Sequence, residues 1–240
     1  NMFRKKDKSD SPFCSCVLVA AGTSSRMGGD KMTIKIAGRT VLERSIAALE
    51  GSGYIDEVVV VTQSGKIPLV ASMARDFGFS KVKCVVEGGA SRTESSYNGV
   101  CECSPKSELI AIHDAARPLV TGDIIERAVL AAAERGAAAP AIKVKDTVRQ
   151  ARGGRVLRTL ERDELFLMQT PQVFRAELIR PALADAVRLG VQLTDDCAAV
   201  MLMDAEVFLV EGSEENLKLT TPAGAYPAEA ILEEREKRCG

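Results

Sequence analysis

Small and cationic residues follow the first apolar run of the sequence, and together they could bind phosphate. The run ends in Ala20, Ala21 and Gly22, and the loop AAGTSSRMGGDK then carries Arg26 and Lys31. Small residues let a ligand approach the backbone, and successive amides of such a loop form a concave site for anions. Arginine adds a forked cation and lysine a point charge. The loop indicates a polyphosphate site, and a solvated basic loop is the alternative.

This loop fits neither of two common nucleotide-binding motifs. It is not a Walker A loop, because one residue too many separates Gly22 from Gly28 and no Lys-Ser or Lys-Thr follows. It also lacks the GxGxxG pattern of dinucleotide-binding folds. P-loop and dinucleotide-binding proteins are therefore disfavoured.

A second polar segment, EGGASRTESSYNGV (87–100), comes after another apolar run and opens a helical pattern. Backbone amides at a helix start are suited to polar ligands. We therefore expect Gly88, Gly89 and Ser95 to contact the base or ribose of a nucleotide.

A third segment, AIHDAARPLV (111–120), places Asp114 and Arg117 at a strand end. A carboxylate there could hold Mg²⁺ against phosphate oxygens, since Mg²⁺ is commonly bound by one or two carboxylates plus substrate phosphates. A helix cap, or a structural pair with Arg117, is the competing interpretation of Asp114. His113 is interpreted as structural, because no nucleophile lies nearby in the sequence for it to activate.

Short β-branched runs that alternate with helical patterns must position these segments. The predicted strands span residues 14–20, 55–62, 81–87, 108–114, 137–144 and 206–212. The predicted helices span residues 40–51, 66–78, 91–103, 123–135, 175–189, 194–203 and 223–238. This alternation predicts an α/β fold with an open, mostly parallel, Rossmann-like sheet covered by helices on both faces. Ligands bind such sheets at the carboxyl ends of the strands, which is where the three segments fall.

Residues 145–165 break the alternation. Two short runs of period two, TVRQ and RVLRTL, flank Gly153-Gly154, a pattern typical of a β-hairpin. The hairpin is too polar for a core, so we predict a protruding arm whose edges a partner subunit covers. Residues 1–12 are polar and are expected to form a disordered leader before a single domain spanning 13–240.

Composition narrows the possible partners. The net charge of −1 arises from 32 basic and 33 acidic residues, so no global field favours nucleic acid or an anionic membrane. The sequence has no apolar stretch long enough to span a membrane. Seven cysteines without a CxxC pair, and a single histidine, disfavour zinc. The cysteine pattern indicates reduced thiols and a cytoplasmic location.

Seven short strings occur in an order and spacing that resemble one family. They are AAGxxxRM followed by a lysine, GGxxRxxS, HDAARP, KDT, QTPQ, TDD and NLKLT, spread between residues 14 and 235. This pattern resembles the 2-C-methyl-D-erythritol 4-phosphate cytidylyltransferases of non-mevalonate isoprenoid biosynthesis. Two differences from the family pattern are a shorter loop before Lys31 and Ala90 in place of an acidic residue.

The resemblance implies a role for particular residues. Backbone and small side chains would hold CTP at Ala20, Ala21, Gly22, Gly89 and Ser95. Cations would serve catalysis at Arg26, Lys31, Arg162 and Lys218. The acceptor would contact Arg117, Thr147, Thr170 and Thr194. Asp114 would bind the divalent metal, Mg²⁺. The resemblance also implies a homodimer in which the arm swaps, so that Thr147 and Arg162 serve the neighbouring subunit's site.

The reaction implied is attack by the acceptor's phosphate on the α-phosphorus of CTP, with release of pyrophosphate. Ribitol 5-phosphate is the alternative acceptor, because related cytidylyltransferases that use it share most of these strings. A nucleotide-binding protein without catalysis is a further alternative. The AAG and HDAARP strings favour methylerythritol phosphate.

Overall fold

The computed structural model describes residues 11–22 and 31–239, without the side chains of Lys31, Pro222 and Cys239. Residues 1–10 of the predicted leader, Arg26 and the side chain of Lys31 lie outside this description.

The described residues form short strands and helices in alternation. The strands are β1 (Cys14–Val19), β2 (Lys35–Ile36), β3 (Arg39–Thr40), β4 (Glu57–Thr62), β5 (Val82–Glu87), β6 (Leu109–Asp114), β7 (Ala137–Lys143), β8 (Arg149–Arg152), β9 (Arg155–Thr159), β10 (Phe166–Met168), β11 (Gln172–Arg175) and β12 (Phe208–Glu211). The α-helices are α1 (Val41–Gly51), α2 (Ile67–Asp76), α3 (Arg92–Glu102), α4 (Gly122–Arg135), α5 (Ala176–Arg188), α6 (Cys197–Met201) and α7 (Ala225–Cys239).

The main sheet has the strand order β10-β7-β11-β6-β1-β4-β5, with β12 paired to β7. Strand β1 lies between β4 and β6 and is parallel to both, and β5 and β12 are parallel to their neighbours. Strands β10 and β11 run antiparallel to theirs. The chain adds β4 and β5 on one side of β1 and β6 on the other. The order therefore reverses beside β1, and a ligand site is expected at the ends of β1 and β6.

Apolar side chains cover both faces of this sheet, as expected of parallel strands between helix layers. On one face, side chains such as Leu18 and Val60 pack with α1 and α4, and α7 contributes Ala228. On the other face, Val17 and Val59 belong to a second core built with α3, α5 and α6. The predicted three-layer α/β fold is confirmed. Among the described residues, no helix combines the length and the apolar character needed to cross a bilayer.

The predicted strands are confirmed to within two residues at either end. The predicted helix 194–203 was too long, since only Cys197–Met201 is helical. Its beginning is displaced because Gln172 on β11 accepts hydrogen bonds from the backbone nitrogens of Asp196 and Cys197. The short strands β2, β3, β10 and β11 were not predicted.

The predicted arm is present as β8 and β9, which form a separate two-stranded sheet. All their side chains are exposed, including Val156 and Leu157. An exposed hairpin with apolar side chains presents a surface that another chain could cover.

Candidate active site

A cavity opens at the carboxyl ends of β1, β5 and β6. The predicted nucleotide residues line it, together with Asp114 and Lys218: Ala20, Ala21, Gly22, Gly89 and Ser95. The structure thus brings together, at one place, residues that are far apart in the chain. Because Ala20, Ala21 and Gly22 carry at most a methyl group, a ligand could approach their backbone.

The loops after β1 and β5 touch at Gly88. A Cβ atom added there would lie 2.4 Å from Cβ of Ala21, closer than real Cβ contacts allow. The hydroxyl of Ser95 accepts a hydrogen bond from the backbone nitrogen of Gly89 (3.1 Å) and donates to the carbonyl of Ser91 (2.8 Å). Ser95 therefore fixes the shape of the second loop, in addition to lining the cavity.

Helix α3 begins at this cavity. Ser91 caps it, since its hydroxyl accepts from the backbone nitrogen of Glu94 (3.1 Å). The first helical residue is Arg92, which lines the cavity. The positive end of the helix dipole favours anions here.

Asp114, the last residue of β6, is held by two cations. Nζ of Lys218 donates to its Oδ2 atom at 2.6 Å, and Nη2 of Arg92 donates to Oδ1 at 3.0 Å. Burial alone would raise the pKa of Asp114, but the positive charges of Arg92 and Lys218 hold this pKa well below its usual range. The carboxylate is therefore ionised throughout the physiological pH range.

Arg92 also contacts a second carboxylate, from a distant part of the chain. Its Nη2 atom donates to Oδ2 of Asp196 at 2.7 Å, and the Asp196 side chain is only 1% exposed. Burial would lower the pKa of Arg92, but Asp196 and Asp114 raise it above its ordinary value. Arg92 belongs to the GGxxRxxS string, but no role was predicted for it from the sequence, because the string does not reveal which residues Arg92 contacts.

A second cavity adjoins the first. It contains three of the predicted acceptor residues, Arg117, Thr170 and Thr194. Its lining also includes Asp114, Arg92 and Lys218, all of which line the first cavity as well. These three charged side chains mark the boundary between the two cavities.

Arg117 is anchored to the backbone of two other segments. It donates to the carbonyls of Asn216 (2.6 Å) and Met168 (3.2 Å). Its Nε atom is buried without a hydrogen-bond partner. Burial lowers the pKa of Arg117, and the neighbouring carboxylate of Asp114 opposes this effect.

His113 contacts two residues that line the second cavity, Arg117 and Thr170. Its Nε2 atom lies 3.2 Å from the carbonyl of Arg117, and since a carbonyl can only accept, Nε2 carries the proton. Nδ1 then accepts from the hydroxyl of Thr170 (2.9 Å), which itself accepts from the backbone nitrogen of Asp114 (3.1 Å). A neutral ring completes this chain, so the structural interpretation of His113 is supported.

Burial lowers the pKa of His113 to about 4, although the nearby Asp114 carboxylate opposes the shift. We expect the imidazole Cε1–H resonance of the folded protein to stay at its neutral position from about pH 8 to 5. This signal is unique because the chain has one histidine. The urea-unfolded chain, as control, should titrate near 6.5, the ordinary histidine value. A folded-state midpoint near that value would contradict the prediction.

The lowered pKa of His113 makes the free energy of unfolding depend on pH. Between about pH 6.5 and 4 the unfolded chain binds a proton on His113 that the folded chain does not bind. The free energy of unfolding should therefore decrease as the pH falls through this window, by up to about 3 kcal/mol from His113.

Residues of the QTPQ string hold the surrounding loops, a role that was not predicted. Gln172 donates through Nε2 to Oδ2 of Asp195 at 2.8 Å, which fixes the segment after Thr194. Gln169 donates to the carbonyl of Ser213 at 2.7 Å, close to the turn that leads to Lys218. Asn216, fully buried, donates to the carbonyl of Thr170 at 3.0 Å. These amides place Thr194 and Lys218 relative to β11.

Two predicted site residues are not brought to either cavity. Thr147 and Arg162 flank the arm, are exposed, and are absent from both linings. Nη1 of Arg162 donates to the carbonyl of Lys145 at 3.2 Å. Within one chain, these side chains therefore line neither of the two cavities.

The donor set fits a divalent cation only with the help of a substrate. Among the residues that the structure describes, no cluster of three histidine, cysteine or acidic side chains could hold a metal. Asp114 is the acidic side chain in the described lining of the first cavity, and it is ionised. One carboxylate with substrate phosphates is a common arrangement for Mg²⁺, and Oδ2 of Asp114, which accepts one described hydrogen bond, from Lys218, would keep a lone pair for the metal.

Comparison with known proteins identifies relatives along almost the whole chain. Residues 14–234 match the family described as 2-C-methyl-D-erythritol 4-phosphate cytidylyltransferase. Curated proteins of that name from Pelotomaculum thermopropionicum and Desulforamulus reducens are 40% and 42% identical, over 93% of this chain and 96% and 97% of theirs.

Solved structures agree with the sequence relatives. The 4-diphosphocytidyl-2C-methyl-D-erythritol synthase of Anaerococcus prevotii superposes with a TM-score of 0.84 at 26% identity, covering 95% of this chain and 100% of that one. The 2-C-methyl-D-erythritol 4-phosphate cytidylyltransferase of Thermus thermophilus gives 0.75 at 34% identity, covering 90% and 98%.

Proposed function

The chain belongs to the 2-C-methyl-D-erythritol 4-phosphate cytidylyltransferase family, and we propose that its adjoining cavities hold CTP and the acceptor on either side of Asp114. The enzyme transfers a cytidylyl group from CTP to 2-C-methyl-D-erythritol 4-phosphate in isoprenoid synthesis. The observation that carries our placement of the substrates is that Arg92, Asp114 and Lys218 line both cavities.

The reaction forms a bond between an oxygen of the acceptor phosphate and the α-phosphorus of CTP. The bond from that phosphorus to the β-phosphate oxygen breaks, and pyrophosphate leaves with the bonding electrons. The attacking phosphate is already an anion at neutral pH, so no general base is required. Catalysis then consists of alignment and neutralisation of charge. Lys218, which lines both cavities, would supply the neutralising charge where the two phosphates meet.

CTP is assigned to the first cavity. Ala20, Ala21 and Gly22, which line this cavity, would offer backbone to the phosphates, and Gly89 and Ser95 would contact the nucleoside. Arg26 and Lys31 would complete the triphosphate site, a role that rests on the sequence because their side chains lie outside the described residues. The acceptor is assigned to the second cavity, with Arg117, Thr170 and Thr194 on its walls.

Asp114 is the residue that would hold Mg²⁺, and the metal would neutralise charge on the phosphates of CTP. Lys218 would keep its hydrogen bond to Asp114 and donate to a substrate phosphate through another of its three N–H groups. The proposed cytoplasmic location rests on the free thiols of the described cysteines.

The proposed function is tested by measuring pyrophosphate release from CTP in the presence of Mg²⁺. Release should occur with 2-C-methyl-D-erythritol 4-phosphate and be much slower with ribitol 5-phosphate. Comparable rates with both acceptors would overturn our choice of acceptor. CTP binding without release, with either acceptor, would identify a non-catalytic relative.

We propose that the arm swaps between the subunits of a homodimer. Three observations support this arrangement: β8 and β9 form a separate sheet, their side chains are exposed, and Thr147 and Arg162 are absent from both cavities of their own chain. An exchanged arm would bring those two side chains to the partner's acceptor cavity. The same contact would cover Val156 and Leu157.

Mixing two inactive variants tests the swap. Arg162→Ala removes the donated cation and Asp114→Ala disables the receiving site, so a hybrid dimer contains one site with both residues intact. After subunit exchange, an equal mixture should recover activity, up to roughly a quarter of the unchanged enzyme if exchange is random. Each variant alone is the control. Absence of recovery, with exchange verified by mass spectrometry of labelled subunits, would contradict swapping.

A further inference from the structure

Arg92 forms an ion pair with the buried carboxylate of Asp196 beside the two cavities, and we propose that both are positioning residues for the transfer. In this proposal Arg92 fixes the orientation of Asp114, and Asp196 holds Arg92 in place. The proposal rests on the function proposed above, because it acts through Asp114 and Lys218. It adds two residues that neither the motif resemblance nor the cavity assignments gave a role.

The geometry of Arg92 fixes one specific oxygen of Asp114. Both Nε (3.3 Å) and Nη2 (3.0 Å) of Arg92 donate to Oδ1. Oδ2 remains for Nζ of Lys218 at 2.6 Å. Because the guanidinium is planar and its donors have a fixed geometry, it sets the rotation of the carboxylate. The position of the Lys218 ammonium group, which must meet a substrate phosphate, follows from that rotation.

Asp196 holds the same Nη2 nitrogen of Arg92 that donates to Asp114. Its Oδ2 atom accepts from Nη2 of Arg92 at 2.7 Å, and its backbone nitrogen donates to Oε1 of Gln172 at 2.9 Å. The arginine is thus tied to β6 through Asp114 and to β11 through Gln172. The four charges of Arg92, Lys218, Asp114 and Asp196 sum to zero. This balance keeps the guanidinium on its carboxylates, where it orients Asp114.

A purely structural role for the pair makes a different prediction, and the chain offers a matched control. Arg180 contacts the other end of helix α3, donating to the carbonyls of Val100, Cys103 and Ser104. If Arg92 only secured α3, then loosening either end of the helix would affect turnover similarly. If Arg92 orients Asp114, replacement of Arg92 would slow turnover, whereas replacement of Arg180 would not.

The experiment compares Arg92→Lys with Arg180→Lys, measuring kcat, equilibrium CTP binding and Tm. Lysine keeps the charge of Arg92 but loses the fork, so kcat should fall by roughly 100-fold, the scale expected of a misplaced reacting group. CTP binding should change by less than about threefold, because the missing interaction matters at the transition state. Arg180→Lys should lower Tm and leave kcat within about twofold of the unchanged enzyme.

Asp196→Asn provides the second arm, because it keeps an accepting oxygen and removes only the charge. Its kcat should fall by about tenfold, and Arg92→Lys combined with Asp196→Asn should lose little more than Arg92→Lys alone, since both act through one contact. The proposal is overturned if Arg92→Lys keeps kcat within threefold, if Arg180→Lys slows turnover as much, or if the double variant shows the product of the single losses. Turnover of the unchanged enzyme with methylerythritol phosphate tests the proposed function separately.

Discussion

Replacement of Lys218 with alanine is expected to lower kcat by about 100- to 1,000-fold, equivalent to about 3 to 4 kcal/mol of barrier. The ammonium group lies 2.6 Å from Oδ2 of Asp114, at the boundary of the two cavities. In the proposed placement, negative charge from the acceptor phosphate and from CTP would converge at that point in the transition state. A preorganised cation there stabilises the transition state more than either bound substrate, so the loss should appear mainly in kcat.

The measurement is pyrophosphate release at saturating CTP and methylerythritol phosphate, with Tm recorded in parallel. Lys83→Ala is the matched control, because the Lys83 side chain is 42% exposed against 38% for Lys218 and is likewise near a carboxylate, that of Glu57. Lys83 is absent from both cavities, so its removal should leave kcat within about twofold of the unchanged enzyme. A Lys218→Ala enzyme with more than a third of normal turnover would exclude the proposed role.

The sequence predicted the strands well because buried parallel strands are uniformly apolar. The run VVVV in β4 is an example, and all four valines are fully buried. Periodicity could not reveal β10 and β11, which have three and four residues. Strand β10 ends just before the QTPQ string, and β11 begins at its last residue, Gln172. Their pairing with β7 and β6 is antiparallel and non-local, so no local pattern encodes it.

The same limit applies to the candidate site. Residues at strand ends, such as Asp114, could be predicted because the fold class places strand ends together. The partners of Asp114 could not, because Lys218 is 104 positions away and reaches it only through the final tertiary packing. The Arg92–Asp196 contact has the same sequence separation. Strings of residues thus located the site, but its charge network follows from long-range packing.

Asp114→Asn is expected to produce the other large loss, again about 100- to 1,000-fold in kcat. Asparagine matches the shape of aspartate but carries no charge, so it neither neutralises Lys218 and Arg92 nor serves as a strong Mg²⁺ ligand. Two effects should therefore appear together. The maximal rate should fall, and the Mg²⁺ concentration that gives half of that rate should rise by about tenfold or more.

Glu57→Gln is the control for loss of a buried carboxylate. The Glu57 side chain is 12% exposed against 10% for Asp114, and it accepts hydrogen bonds from Ser15 and from the backbone of Ser104 at the opposite end of the strands. The Glu57→Gln substitution should lower Tm and leave the Mg²⁺ dependence of the rate unchanged. If Asp114→Asn lowers kcat but leaves the Mg²⁺ dependence of the unchanged enzyme, Asp114 acts by orienting Lys218 rather than by binding metal. If instead the Asp114→Asn enzyme keeps both its Mg²⁺ dependence and a kcat within threefold of the unchanged enzyme, then transfer does not occur at the boundary between the cavities.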